Sequence, residues 1–181
     1  MFEQILAFLL GAATSLFSLA CLARLWMQWV RAPFANPVGQ AVIVITGWAV
    51  TPLRRIVPSL AGIDLASALA AWLAQLLHLG IVGLLSDVAV FAANSLPLLA
   101  WAALLATTRL FIDLLIGIVI VAALLSWIAP SAPAAPLFDR LAAPLLRPVR
   151  RFIPTLGGLD FAPLIVILLL QAALIVLENL H

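Results

Sequence analysis

The chain has 181 residues, of which 66% are hydrophobic and 9% are charged. Because a soluble domain carries about 25% charged residues, this composition excludes a soluble globule and indicates an integral membrane protein. The net charge of +2 gives no support for nucleic-acid binding, and the single cysteine, Cys21, excludes an internal disulfide and a multi-cysteine metal cluster.

Five uncharged windows are candidates for membrane-spanning helices, since about 20 helical residues cross the hydrocarbon core. The windows are Gln4–Ala23, Leu65–Ser86, Val88–Thr108, Leu114–Phe138 and the marginal Phe161–Leu177. Only Glu3 carries a charge before the first window, where a signal peptide would have Lys or Arg, so we predict an uncleaved helix. Asn94, Ser95 and Pro97 interrupt the third window. We interpret it as a broken helix or hairpin before a span that starts near Phe111, which leaves four crossings.

A shorter apolar helix, Val38–Val50, follows the first span and is bounded by prolines. Its length of about 20 Å is too short to cross the bilayer core, so we predict an interfacial or re-entrant helix. Its apolar side comprises Val38, Ala41, Val42, Ile45 and Trp48. A counterpart in the second half has Leu137, Phe138, Leu141 and Leu145 on its apolar side.

The segment Thr51–Ala66 recurs as Arg147–Ala162. The identical positions are Pro52/Pro148, Arg54/Arg150, Arg55/Arg151, Pro58/Pro154, Leu60/Leu156, Gly62/Gly158, Asp64/Asp160 and Ala66/Ala162. We therefore predict an all-α polytopic membrane protein of two tandem repeats. Each repeat consists of a spanning helix, an interfacial or re-entrant helix, an arginine-rich turn and a second spanning helix. The predicted domains are a first repeat, 1–86, a linker, 87–99, and a second repeat, 100–181.

Most arginines fall in the two segments that join the first span to the second and the third span to the fourth. The positive-inside rule places both segments in the cytoplasm. The termini are then on the opposite side of the membrane, and the repeats are related by an axis along the membrane normal.

The prolines of the repeated segment are expected to hold its arginines in a stiff turn. Guanidinium groups suit bidentate contact with lipid phosphates or carboxylates, although such arginines can also serve as topology determinants alone. The predicted lipid- or partner-binding residues are Arg54, Arg55, Arg147, Arg150 and Arg151.

Each repeated segment ends with a glycine and an aspartate. Gly62 and Gly158 permit turn conformations that other residues avoid. Asp64 and Asp160 are predicted to cap the next helix and to pair with the arginine ten residues upstream. The predicted caps and turns are Pro52, Pro58, Gly62, Asp64, Pro148, Pro154, Gly158 and Asp160.

Four polar residues are predicted to lie within the membrane: Gln75, His78, Asp113 and Gln171. Gln75 and Gln171 lie eleven residues after each aspartate. They are expected to form helix-to-helix hydrogen bonds between the repeats, or alternatively to line a small conduit. His78 is interpreted as a structural histidine, with haem binding or proton transfer as the alternative. Arg109 is the predicted ion-pair partner of Asp113.

The sequence has no phosphate-binding glycine loop, no His-Glu metal helix and no plausible Ser-His-Asp set. We therefore predict a protein that is not an enzyme and that has neither a metal nor a cofactor.

The duplicated Pro-x-Arg-Arg-x-x-Pro-x-x-Gly-x-Asp phrase, with Arg24–Trp29 and Asn36-Pro37 before its first copy, resembles the YggT family of bacterial and plastid membrane proteins. The Trp-Met-Gln-Trp block resembles its proteobacterial branch. The second copy departs from the pattern, with Ala135-Pro136 in place of Asn36-Pro37.

The resemblance implies a scaffold or assembly factor of the bacterial inner membrane, with the arginine segments in the cytoplasm and the termini in the periplasm. Bacterial members are associated with osmotic or extracytoplasmic stress, and plastid relatives with haem attachment and nucleoid distribution. The implied partners are phospholipids, a membrane or cytosolic protein, or a second copy of the chain, and no nucleic acid. A small channel or transporter for ions or osmolytes is the alternative, lined by Gln75 and Gln171. A haem-handling factor that uses His78 is a third hypothesis.

Overall fold

A computed structural model describes residues 2–59, 62–85, 96–152 and 160–179. Within these ranges the chain is helical and contains no strand. The helices are α1 (Phe2–Trp29), α2 (Pro37–Ile56), α3 (Leu65–Leu85), α4 (Leu96–Ile128), α5 (Ala135–Arg150) and α6 (Ala162–Glu178). The predicted all-α class is confirmed.

Three of these helices are long and apolar enough to cross a membrane. They are Gln4–Trp29, Leu65–Leu84 and Leu96–Ile128, and α6 is a shorter apolar helix. Large apolar side chains such as Phe8 and Leu98 are mostly exposed, whereas Ser18 and Asp64 are fully buried. This arrangement is the reverse of a water-soluble protein and fits a helical membrane protein in a lipid environment. The four crossings and the sidedness remain predictions.

The helix α4 starts earlier than the sequence indicated. It begins at Leu96 and continues unbroken for 33 residues, so the predicted start near Phe111 is wrong. Pro97 lies in the first turn, where its missing amide hydrogen has no intrahelical acceptor in any case. Residues 86–95 of the predicted hairpin lie outside the described residues, whereas residues 96–99 of the predicted linker belong to α4.

The first proline of each repeated segment lies inside a helix. Pro52 is within α2, and Pro148 is within α5. The prediction that these prolines end the interfacial helices and bound a separate arginine turn is therefore wrong. The arginines lie in the last turns of α2 and α5, where cations interact favourably with the helix dipole.

The buried side of α2 comprises Gly39, Val42, Thr46 and Val50. Of the predicted apolar side, Val42 is buried, whereas Val38, Ile45 and Trp48 are exposed. The apolar side thus faces the surroundings of the helix, as expected where those surroundings are lipid. In α5, Leu137 and Leu141 of the predicted apolar side are buried.

The start of α2 is defined by a cap and a close approach. The backbone amide of Gly39 donates a hydrogen bond to Oδ1 of Asn36 at 2.8 Å, and Pro37 occupies the first turn, where proline is favoured. A Cβ at Gly39 would lie 2.8 Å from the backbone of Phe34. In α5 the N-cap residue is Ala134, which makes no side-chain capping bond.

The chain forms two compact units. The first consists of Met1–Trp29 and Phe34–Phe111, and the second of Val30–Pro33 and Ile112–His181. The division falls inside α4, whereas the predicted boundary lay at residues 87–99. In the first unit α1, α2 and α3 pack against one another, and in the second α5 packs against α6.

We expect Gly39→Ala to lower the thermal stability of the first unit, because the added Cβ would collide with the Phe34 backbone. Gly47→Ala, in the same helix, is the matched control, since no atom lies within 4 Å of its added Cβ. Unfolding in detergent can be followed with a thiol-reactive fluorophore, because the chain's single cysteine, Cys21, is fully buried. Equal melting curves for the two variants would contradict the steric role of Gly39.

Candidate functional site

A buried ion cluster joins the three helices of the first unit. It consists of Arg24 from α1, Thr46 and Arg54 from α2, and Asp64 and Ser67 at the start of α3. The Arg54 guanidinium donates two hydrogen bonds to Asp64, from Nε to Oδ1 at 3.2 Å and from Nη2 to Oδ2 at 2.5 Å. Nε of Arg24 lies 3.9 Å from Oδ2 of Asp64, and its Nη1 donates to Oγ1 of Thr46 at 2.9 Å.

Asp64 also organises the start of α3. Its backbone carbonyl accepts the amide hydrogen of Ala68 at 3.2 Å, which places Asp64 at the N-cap position. Its Oδ2 accepts the Ser67 hydroxyl at 2.6 Å. Gly62, two residues earlier, has a φ of 84°, the left-handed conformation that glycine adopts without strain. One carboxylate therefore both caps α3 and pairs with arginine.

Burial and hydrogen bonding have opposite effects on the pKa of Asp64. Burial alone would raise the pKa, but the hydrogen bonds from Arg54 and Ser67 outweigh burial, so the pKa of Asp64 is below its ordinary value. The carboxylate is thus ionised at neutral pH. A buried ion pair of this kind is costly to break, because the remaining charge stays buried without a partner.

The second unit has a more open version of this ion pair. Arg150 donates from Nε to Oδ2 of Asp160 at 2.8 Å, and Oδ1 of Asp160 accepts the Ala162 amide at 3.0 Å. The Asp160 side chain is 25% exposed, whereas that of Asp64 is 1% exposed. The N-cap of α6 is Phe161, so Asp160 lies one residue before the cap. Pro163 occupies the position of Ser67 and has no hydrogen to donate.

A small cavity of about 30 Å³ adjoins this second ion pair, enough for about one water molecule. It is lined by Ser126, Asp139, Arg150 and Asp160 among others. Asp139 and Asp160 both line this cavity together with Arg150, whereas Arg24 and Arg54 both approach Asp64 in the buried ion cluster.

The remaining predicted arginines point away from these ion pairs. Arg55, Arg147 and Arg151 are exposed, and none of their guanidinium groups forms a hydrogen bond or ion pair with another described residue. We call them the exposed arginines. Pro58 is also exposed, and Pro154 and Gly158 lie outside the described residues.

Gln75 is 4% exposed and lies between α1 and α3. Its Nε2 donates to Oγ of Ser18 at 3.0 Å, and that hydroxyl donates to the carbonyl oxygen of Ala71 at 3.2 Å. Gln75 therefore makes a helix-to-helix bond within its own unit, and the bond between the repeats remains a prediction. Gln171 is exposed on α6.

His78 and Asp113 lie within spanning helices. The His78 ring is close to α1, since a Cβ at Gly11 would lie 3.1 Å from its Cε1. Its Nδ1 is buried and has no hydrogen-bond partner among the described residues. Asp113 is exposed near the middle of α4, and its pairing with Arg109 remains a prediction.

The sequence did not predict the parts that Arg24, Thr46, Ser67 and Ser18 play in these contacts. Arg24 lies just beyond the first predicted span, Gln4–Ala23, yet it is 7% exposed. One signal was present, because Arg24 lies five residues before the end of α1, where an arginine can reach the aspartate at the start of an antiparallel neighbour. The small hydroxyl residues gave no such signal.

These features define an integral membrane protein of α-helices whose ion pairs lie near the helix ends. The chain belongs to the CCB3/YggT family, whose model matches residues 3–85 and 101–181.

The alignments with related proteins cover most of this chain and most of each relative. The chain is 37% identical to the uncharacterized protein YggT of Escherichia coli (strain K12), over 91% of this chain and 85% of that protein. It is 38% identical to an uncharacterized protein of Pseudomonas aeruginosa, over 96% of this chain and 88% of that protein. No solved structure matches the chain.

We expect the thermal stability of the wild type to fall more steeply with decreasing pH than the thermal stability of Asp64→Asn. Because the folded-state pKa is lowered, the folded state binds fewer protons than the unfolded state. The stabilisation is complete above the ordinary Asp pKa of about 4 and is lost as the pH falls through the lower folded-state pKa.

Thermal unfolding in detergent, followed by far-ultraviolet circular dichroism at a series of pH values, measures this difference. Asp160→Asn is the control, because it removes the equivalent carboxylate of the more open pair. Parallel pH profiles for the wild type and Asp64→Asn would refute the assignment.

Proposed function

We propose that this protein is a non-enzymatic scaffold of the bacterial inner membrane, acting in membrane assembly or the response to extracytoplasmic stress. In this proposal the exposed arginines bind the phosphates of lipid head groups or an acidic surface of a partner protein. The observation that carries the proposal is that the two consecutive arginines of each copy have different surroundings. Arg54 and Arg150 are tied to aspartates, whereas Arg55 and Arg151 are exposed.

The positions of Arg55 and Arg151 support this role. They lie at the C-terminal ends of α2 and α5, and their immediate neighbours are anchored by an ion pair. Their backbones are therefore fixed, while their guanidinium groups can reach a ligand. A fixed guanidinium loses less conformational freedom when it forms a bidentate contact with a phosphate or carboxylate.

The alternative of a channel or transporter has less support. It rested on Gln75 and Gln171 as the lining of a conduit, but the amide of Gln75 is buried against Ser18. That hydrogen bond favours a structural role in holding α1 against α3.

We expect the double variant Arg55→Gln/Arg151→Gln to retain less anionic phospholipid during purification than the wild type, by roughly fivefold per arginine. Arg31→Gln/Arg140→Gln is the matched control, because it removes the same charge at two exposed positions outside the repeated segment. The measurement is the amount of phosphatidylglycerol per protein and the set of proteins that co-purify from native membranes. If the two double variants lose lipid and partners equally, or neither loses any, the proposed function fails.

A further inference from the structure

An apolar groove opens between α1, α2 and α3 of the first unit. Its volume is about 370 Å³, within the range of pockets that hold small ligands. Ala13 and Phe17 line it from α1, Trp48 and Ala49 from α2, and Leu73 and Leu77 from α3. We call it the first-unit groove.

The first-unit groove is lined mostly by apolar side chains. Only Thr14 and Trp48 carry a polar group, and the Thr14 hydroxyl donates to the carbonyl oxygen of Leu10 in its own helix at 2.7 Å. The groove is open along its edge, where Trp48 and Leu77 are 75% and 64% exposed. The Trp48 ring packs against Phe17 with the ring centroids 5.3 Å apart. These properties suit a flexible hydrocarbon chain.

The groove lies deeper along the helices than the buried ion cluster. Phe17 and Ala13 precede Arg24 by a helical distance of about 10 to 16 Å, and Leu73 follows Asp64 by about 13 Å. The cluster lies near the end of α1 and at the start of α3. If these helices span the bilayer, the cluster is near the head groups and the groove is at the depth of the acyl chains.

Arg55 lies on the same helix as the groove residue Trp48. It follows Trp48 by seven residues, which is two helical turns, so both side chains project from the same face of α2. Both are exposed, and Arg55 has no ion pair with another described residue. A cation therefore stands about 10 Å along the helix from an apolar groove, the same order as the separation between a phosphate and the acyl chains of a phospholipid.

We propose that the first-unit groove binds one acyl chain of a membrane phospholipid whose phosphate pairs with Arg55. The head-group contact rests on the function proposed above, whereas the acyl-chain site rests on the groove alone. The bound lipid would lie along α2 and fill the space that the alanines of the three helices leave open.

Native mass spectrometry of the purified full-length chain, released from detergent after incubation with phosphatidylglycerol, tests the proposal. Ala13→Phe fills the groove from α1. Ala12→Phe is the matched control, since both alanines are exposed but only Ala13 lines the groove. Ala49→Phe fills the groove from α2 and guards against a folding defect of one variant, and the reactivity of buried Cys21 reports on folding.

We expect one retained lipid in the wild type and in Ala12→Phe, and its loss in folded Ala13→Phe and Ala49→Phe. Arg55→Gln should retain about fivefold less phosphatidylglycerol. Retention of the lipid by both filled variants, its absence from the wild type, or a mass increase equal to a second copy of the chain would overturn the acyl-chain site. Loss in the filled variants with no effect of Arg55→Gln would uphold the groove and refute the arginine contact.

Discussion

The packing of α1, α2 and α3 in the first unit depends on one buried carboxylate, that of Asp64. Asp64 is fully buried, and burial of a lone charge in a protein interior costs several kcal/mol. The charge is tolerated because Arg54 and Ser67 donate hydrogen bonds to it and the Arg24 guanidinium lies nearby. These three residues come from α2, α3 and α1, respectively. The folded arrangement of α2 against α1 and α3 is therefore linked to the satisfaction of a single charged group.

This dependence explains the difference between the two copies of the repeated segment. In the first, Arg24 reaches Asp64 from α1, and Ser67 supplies a hydroxyl. In the second, alanines of α4 line the cavity beside Arg150, and proline replaces the serine. Asp160 keeps the arginine ten residues upstream but loses the other donors, and it is accordingly more exposed. The second copy therefore retains the basic ion pair without the buried cluster around it.

The sequence was sufficient for features that depend on local pattern. Apolar windows located α1, α3 and α6, and the spacing of ten residues between Arg54 and Asp64 indicated their ion pair. It was misleading where a rule from soluble proteins was applied to a membrane protein. Pro52 and Pro148 were expected to end helices, yet neighbouring helices in a membrane can compensate for the lost hydrogen bond. The burial of Arg24 depends on the packing of α1 against distant parts of the chain, and the position of Arg24 near the end of α1 was its one signal in the sequence.

Helix geometry also explains why the repeated segment contains two consecutive arginines. Successive residues of an α-helix point about 100° apart, so neighbouring arginines in a last turn cannot both face the same aspartate. One of them, Arg54 or Arg150, turns inward and forms the ion pair. The next one, Arg55 or Arg151, must then turn outward. One arginine per copy is enough for this ion pair, so the second arginine is the one left for the contact outside the chain that we propose, or for setting the orientation of the chain in the membrane.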